Sequence, residues 1–317
     1  MSGSYVIISP CRDEADYMRR TLDSVTQQSV LPAKWIIVDD GSTDETPIIL
    51  AEYAEKFAFI EIVTRQNRGF RKVGPGVVDA FYEGYKHIDP DKYDYICKLD
   101  LDLDLPKKYF ETLIRKMEAN PRIGTCSGKP YNEIDGRLVS ENRGDEMSVG
   151  MTKFYRMIAF KQIGGLVREV MWDAIDCHRC RQLGWTAVSW DEPDLRFIHL
   201  RLMGSSQDSI YVGRMRHGFG QHFMGTGVIY MAATSVYRML HRPFVLGGLA
   251  MFWGYLRSRL KQLPQLDDGD LRRFIREFQW QCLLKGKTRA VRDVDAAQAR
   301  RWNPLAPSLP MPISSDR

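Results

Sequence analysis

The chain has 317 residues, 44% of them hydrophobic and 27% charged, with a net charge of +5. That length exceeds the usual single domain and points to one large domain with a smaller appendage, while the composition excludes a disordered, collagenous or fully membrane-embedded protein. Six irregularly spaced cysteines make no disulfide framework and are read as reduced thiols of a cytoplasmic protein.

The N-terminal half alternates short apolar runs with amphipathic stretches, the pattern of βα units on a mainly parallel sheet. Tyr5-Val6-Ile7-Ile8 is the first strand; starting so early, it leaves no room for a signal peptide. Met18, Leu22 and Val25 recur at helical spacing and mark the buried stripe of a first helix. Trp35-Ile36-Ile37-Val38 is the second strand, ending in Asp39-Asp40-Gly41, and the next helix is expected to start near Ser42 to Asp44 because Pro47 fits only a first turn. Ile60 to Val63 is a third strand, Val77 to Tyr85 a helix, and Tyr95 to Leu99 a fourth strand running into a cluster of aspartates. The helix after Pro106 carries Phe110, Leu113, Ile114 and Met117 on one face.

The middle third is less regular. A strand is expected at Ile123 to Cys126, a helix near Arg156 to Ile163 closed by Gly164-Gly165, and a helix from about Asp173 to Leu183 stopped by Gly184. Strands around Ala187 and Phe197 follow. Beyond about Gly225 come long apolar stretches broken by arginines, with no strand signals. From Tyr237 to Arg301 there are 14 Lys and Arg against 6 Asp and Glu, so the positive charge belongs to the C-terminal part.

Three acidic clusters fall where an open parallel sheet binds its ligand, at strand carboxyl ends or helix starts. Asp39-Asp40 follows the second strand, Asp100-x-Asp102-x-Asp104 the fourth, and Asp173 and Asp176 open a later helix. Carboxylates this close repel one another unless a cation intervenes, and a divalent metal held by one or two of them keeps positions open for substrate phosphates.

In order, Ile7-Ile8-Ser9-Pro10-Cys11-Arg12-Asp13-Glu14, Ile37-Val38-Asp39-Asp40-Gly41-Ser42-Thr43-Asp44, Asn67-Arg68-Gly69, Asp100-Leu101-Asp102 and Trp172-Asp173-Ala174-Ile175-Asp176 resemble a family 2 glycosyltransferase with a GT-A fold. The resemblance covers roughly residues 5 to 200. It implies an α/β catalytic domain over 1–224 with a Rossmann-like, mainly parallel central sheet flanked by helices. A helical, basic extension over 225–302 and a disordered tail over 303–317 would follow. The implied activity is inverting transfer of a hexosyl group from a nucleotide-diphosphate sugar to a glycan or lipid-linked acceptor, in bacterial-type surface polysaccharide or glycolipid synthesis.

The resemblance also implies roles. Pro10, Arg12 and Glu14 line the nucleotide pocket, Asp39 accepts from the base, and Asp40 supports that loop. Arg68, Arg71 or Lys72 approaches the base or diphosphate, and Asp100 faces the ribose or sugar. Asp102 holds Mg²⁺ or Mn²⁺; Asp104 is either a further ligand or a solvated aspartate. His199 is a third metal ligand or a structural histidine, and Arg201 a diphosphate cation. Many relatives carry Glu-Asp where this chain has Asp173-Ala174, so Asp173 is the expected general base, with a helix N-cap as its structural alternative. That departure also leaves a second class of function open, a catalytically silent nucleotide-sugar-binding or partner protein.

Other signals lead away from chemistry. Cys177-His178-Arg179-Cys180 lacks the second ligand pair of a zinc site. Gly74-Pro75-Gly76 has no Gly-Lys-Ser/Thr after it, and the first strand lacks a dinucleotide-binding glycine turn. No nucleic-acid module is present. Phe244 to Leu256 is an apolar run shorter than the ~20 residues of a spanning helix. Flanked by Arg238, His241 and Arg242 before and Arg257, Arg259 and Lys261 after, it suits either an anionic membrane interface or a buried core or dimer helix. The sequence leaves the oligomeric state open.

Overall fold

A computed structural model describes residues 3–67, 69, 74–201, 210–241 and 243–312. They divide into two compact units, the first comprising residues 1–168, 185–201 and 303–317 and the second residues 169–184 and 202–302.

The first unit opens with β1 (Tyr5–Cys11), α1 (Met18–Thr26), β2 (Lys34–Asp39), α2 (Thr46–Lys56), β3 (Ile60–Thr64), α3 (Pro75–Tyr85), β4 (Tyr95–Leu99), β5 (Leu103–Asp104) and α4 (Tyr109–Ala119). It continues with β6 (Ile123–Ser127), β7 (Lys129–Ile134), β8 (Arg137–Ser140), β9 (Thr152–Arg156) and α5 (Met157–Gln162). After α6 (Trp172–Gln182), which belongs to the second unit, β10 (Thr186–Ser189) and β11 (Arg196–His199) return to the first.

Among the described residues seven strands form one sheet in the order β10-β6-β9-β4-β1-β2-β3. Only β9 runs antiparallel to its neighbours β4 and β6. Buried on both faces, β1, β2 and β4 read as continuous apolar runs, as parallel strands do. Alternate side chains serve opposite layers. Tyr5, Ile7, Trp35 and Ile37 share a core with Met18, Leu22 and Val25 of α1 and with Phe110 and Leu113 of α4. Ile8, Ile36 and Val38 face α3, where a Cβ on Gly84 would come within 2.8 Å of Ile8 Cγ2.

The order places β4 beside β1 on the side away from β2. The chain therefore reverses its direction of travel across the sheet between β1 and β4, and their carboxyl ends flank the crevice where such sheets bind ligands.

A second sheet, β5-β11-β7-β8, was not expected from the sequence. Its outer hairpin turns at Asp135-Gly136, with φ of +50° and +71°, the two positive values of a type I′ turn. The helix α2 begins at Thr46, later than Ser42 to Asp44, because those residues are engaged elsewhere. The Ser42 hydroxyl and the Asp44 carboxylate accept from the backbone N–H of Asp13 and Ala15 (2.9 and 3.1 Å).

The compact units differ from the boundaries 1–224, 225–302 and 303–317. The helix bearing Asp173 joins the second unit, whereas residues 303–312 pack on the first. Gln162 accounts for much of that packing: its amide nitrogen lies within 3.1 Å of the carbonyls of Asn303, Pro304 and Ala306, while its oxygen accepts from Trp185 Nε1.

The second unit adds α7 (Ile210–Phe223), α8 (Val228–Met239), α9 (Leu246–Leu260), α10 (Gly269–Lys285) and α11 (Lys287–Gln298). Glycines let α7 and α9 approach backbone to backbone: a Cβ on Gly218 would lie 2.0 Å from the Met251 carbonyl, and one on Gly254 2.2 Å from that of Met215. Ion pairs from Arg179 to Asp268 (3.2 Å) and from the buried Arg181 to Asp295 (3.0 Å) tie α6 to α10 and α11. Asp268 also caps α10 by accepting from Leu271 N.

Candidate active site

The candidate site is built on the loops that leave β1, β2 and β4. Those leaving β1 and β2 are stapled together. Asp13, with φ of +52°, accepts from Thr43 N at 2.8 Å, while Thr46 Oγ1 accepts from Glu14 N at 2.9 Å. Arg12 runs beneath them, donating to the Asp40 carbonyl (3.3 Å) and to Asn67 Oδ1 (2.9 Å). Asp39, nearly fully buried, accepts from Ser42 N and so turns its own loop. The Asp40 carboxylate pairs with Arg65 at 2.8 Å. Gly41 sits at the crossing point with φ of +76°, where a Cβ would lie 2.5 Å from Asn67 Cα. Pro10, next to last in β1, lies opposite Val38.

At the end of β4, Lys98 is buried and contacts both Asp100 and the Gly150 carbonyl. Burial, reinforced by the like charge of Asp102, raises the Asp100 carboxyl above its ordinary value although Lys98 opposes it. Asp102 lies at the centre of the cluster. Its Oδ2 stands 3.6 Å from His199 Nε2 and 3.5 Å from Arg201 Nε, and Arg201 reaches on to the Glu14 carboxylate. The site thus joins Glu14 after β1, Asp102 after β4 and the His199-Leu200-Arg201 segment that ends β11. Backbone holds that junction too, since Leu200 N donates to the Asp102 carbonyl at 2.8 Å.

Burial alone would raise Asp102, but hydrogen bonding and charge from His199, then Arg201 and Lys98, hold it below the usual carboxylate range. Burial alone would likewise lower His199; Asp102 and Glu141 instead push it up to about 9. Among the described residues Asp102 Oδ1 is buried and has no hydrogen-bond partner, and neither have Glu141 Oε2 and Asn132 Oδ1 nearby. Such an atom costs free energy unless something binds it.

Glu141 escaped the sequence reading. Its Oε1 lies 2.6 Å from His199 Nδ1, and Asn132 Nδ2 donates to the same oxygen at 3.2 Å. Burial would raise it, yet His199 and Arg143 hold it below the ordinary value. The Asp135-Gly136 turn between two β-rich runs could have signalled the hairpin that delivers it.

The metal candidates do not form one preformed cluster. Asp104 pairs with Arg20 of α1 at 2.6 Å and shares no described contact with Asp102 or His199. Among the described residues no three His, Cys, Asp or Glu side chains gather closely enough to hold a metal ion. Asp102 and His199 nevertheless fit one. An orphaned carboxylate oxygen beside an imidazole is a donor pair for Mn²⁺ or Mg²⁺, with substrate oxygens completing the shell.

Arg68, Arg71 and Lys72 lie outside the described residues. Asp173 belongs to the second unit, in the first turn of α6, where Met171 rather than Asp173 takes the N-cap position, and the Asp173 carbonyl accepts from the Cys177 thiol. Cys177 and Cys180 are buried in that helix, and His178 packs edge-on against Phe278.

Comparison with known proteins agrees with this architecture. The chain resembles the structures of GalNAc-T7 with UDP, GalNAc and Mn²⁺ (TM-score 0.55, 14% identity, 86% of this chain and 53% of that one) and the mannosyltransferase PcManGT from Pyrobaculum calidifontis with GDP-Man and Mn²⁺ (TM-score 0.51, 14% identity, 95% and 88%). S. aureus TarS 1-349 in complex with UDP-GlcNAc is similar at a TM-score of 0.50 and 14% identity, over 94% of this chain and 89% of that one. At such identity these likenesses establish the fold alone, the GT-A arrangement of helices around a large central sheet. Poly-beta-1,6-N-acetyl-D-glucosamine synthases of Staphylococcus aureus (strain MSSA476) and Staphylococcus epidermidis are 29% and 28% identical over 122 residues, 38% of this chain. That match spans 27% of those proteins' length. The family model described as Glycosyl transferase family 2 matches residues 6–178, more than half of the sequence. The chain belongs to glycosyl transferase family 2.

Proposed function

We propose that this protein transfers a hexosyl group, with inversion, from a nucleotide-diphosphate sugar to a hydroxyl of a glycan or lipid-linked acceptor at the cytoplasmic face of a membrane. The observation that carries the reading is the Glu14–Arg201–Asp102–His199 network at the β1/β4 crevice of a family 2 chain, with Asp102 Oδ1 left without a partner among the described residues. Asp39 and Arg12 line the base end of the donor, Glu14 and Asp100 the ribose and sugar. Asp102 and His199 would hold Mg²⁺ or Mn²⁺, which when bound supplies positive charge for the diphosphate. Arg201, with Arg68, Arg71 or Lys72, adds cationic donors to the departing diphosphate oxygens. Asp173 takes the proton of the acceptor hydroxyl as that oxygen bonds to the anomeric carbon and the bond to the diphosphate breaks. The relatives' names, poly-N-acetylglucosamine synthases, support surface polysaccharide synthesis as the setting.

A thermal-shift panel of sugar nucleotides with and without Mn²⁺ tests this. The expected result is a metal-dependent rise in Tm for one nucleotide class, lost in Asp102→Ala and kept in Asp104→Ala. No shift for any nucleotide with folded protein would contradict it. The silent-homologue reading draws on one observation, the buried Ala174 beside Asp173, where the family resemblance implies a carboxylate. Transfer or donor hydrolysis that depends on Asp173 would remove it.

A further inference from the structure

The second unit presents an unusual surface on α8 and α9. The side of α9 turned to its neighbours brings Gly248 to the Ser235 carbonyl of α8 and Gly254 to the Met215 carbonyl of α7, with Met251 and Tyr255 buried beside them. Leu246, Leu249, Trp253 and Leu260, at helical spacing on another stripe of α9, are exposed instead. Val236, Tyr237 and Leu240 are exposed at the end of α8, and Phe244 and Val245 in the connection continue the patch into Leu246. Trp253 and Phe244 are 54% and 60% exposed and Leu240 is 70% exposed, more apolar surface than scattered single residues explain.

Charge selects the occupant. From Ser209 to Leu266 the sequence contains no Asp or Glu and seven Lys or Arg. Arg257, Arg259 and Lys261 are exposed at the end of α9, and His241 is exposed beyond α8. A face that is apolar, aromatic and cationic, on a stretch without any anion, complements an anionic lipid surface, where Trp sits at headgroup level and nearby cations add to the attraction. Spanning is another matter. Among the described residues no helix is long and apolar enough to cross a membrane. With 15 residues, α9 is about 22 Å long, against a hydrocarbon core of about 30 Å.

We propose that the α8–α9 face docks on an anionic bilayer, with Leu246, Leu249, Trp253 and Phe244 entering the headgroup–acyl boundary and Arg257, Arg259 and Lys261 meeting lipid phosphates. The inference does not rest on the transfer reaction, since a chain inactive in transfer would bind the same vesicles.

The test is co-sedimentation of the full chain with vesicles of phosphatidylglycerol and phosphatidylcholine, and with phosphatidylcholine alone. The expected result is salt-sensitive partitioning, at least tenfold stronger onto the anionic vesicles. Leu249→Glu with Trp253→Glu should lower it at least tenfold. Arg257→Glu with Arg259→Glu leaves the apolar stripe intact and should lower anionic binding roughly tenfold while flattening the salt dependence. Should the first pair fail to fold by circular dichroism, the exposed arginine pair decides. Equal partitioning of the wild type and the variants, or no binding to either vesicle, would overturn the proposal. So would a concentration-dependent dimer abolished by the Leu249/Trp253 pair, because a second copy would then cover the face.

Discussion

Glu141 Oε1 accepts from His199 Nδ1 at 2.6 Å, and this bond fixes which ring nitrogen faces Asp102. Partners of this kind orient a ligating imidazole, and their loss typically costs 10–100-fold in metal affinity. Glu141→Gln keeps the shape but removes the charge. The His199 pKa should then fall from about 9 towards its ordinary 6.5. Compared above pH ~9, where the ring is neutral in both proteins, Mn²⁺ affinity should drop on the order of tenfold. NMR titration of the ring and Mn²⁺ titration by electron paramagnetic resonance read the two effects separately. A purely structural Glu141 would alter Tm and leave both unchanged.

The same ring makes the metal-free protein sensitive to alkaline pH. Its folded pKa of about 9 lies above the unfolded value of about 6.5, so the folded state holds the extra proton in that interval. The stabilisation is complete below pH ~6.5 and is lost as pH rises through ~9, an effect on the order of 3 kcal/mol. Metal binding needs the neutral ring, so Mn²⁺ affinity should climb over the same range. Urea denaturation at pH 6 and pH 9 checks the first statement. An identical pH slope in His199→Gln would refute it.

How much of this the sequence discloses follows from where burial is decided. In β1, β2 and β4 both faces are buried, so apolar runs ending in Arg12, Asp39 and Asp100 mark strands and strand ends directly. The stripe of Met18, Leu22 and Val25 does the same for α1, and all three side chains are buried. By contrast β8 is exposed along its whole length and has no apolar face to betray it, so the burial of Glu141 just beyond it comes from tertiary structure alone. The late start of α2 has a similar cause: Ser42 and Asp44 are good capping residues by type, yet Ser42 caps the neighbouring loop, and Asp44 divides its carboxylate between that loop's Ala15 N and Thr46 N at the start of α2. No one-residue pattern encodes a partner found 29 positions away.

Gly41 tests whether that stapled loop carries nucleotide binding. Alanine there meets two penalties together, a backbone in the left-handed region and a Cβ 2.5 Å from Asn67 Cα. Either the loop or Asn67 must move, and Asn67 holds Arg12. Gly41→Ala should lose more than ~2 kcal/mol of stability and weaken nucleotide affinity, with circular dichroism and calorimetry as readouts. Gly69 also has a positive φ but no described atom within 4 Å of an added Cβ, so Gly69→Ala should show only the conformational term, roughly 1 kcal/mol. Equal effects of the two substitutions would show that packing against Asn67 is irrelevant.

Asp173 and Asp176 share the first turns of α6, but their surroundings differ. Asp176 is buried and its carboxylate accepts from Cys177 N, a placement suited to holding the helix, whereas Asp173 is half-buried in the first turn. A general base must be able to reach the acceptor, which favours Asp173. Asp173→Asn should cut kcat by 10²–10⁴-fold, the range of a lost general base, while the sugar-nucleotide thermal shift survives. Asp176→Asn removes the charge of a buried carboxylate and should lower Tm with a smaller loss of kcat per folded molecule. Transfer assays on both variants, corrected for folded fraction, distinguish the two roles. If Asp173→Asn keeps near-normal rates and Asp176→Asn does not, the base has been assigned to the wrong aspartate.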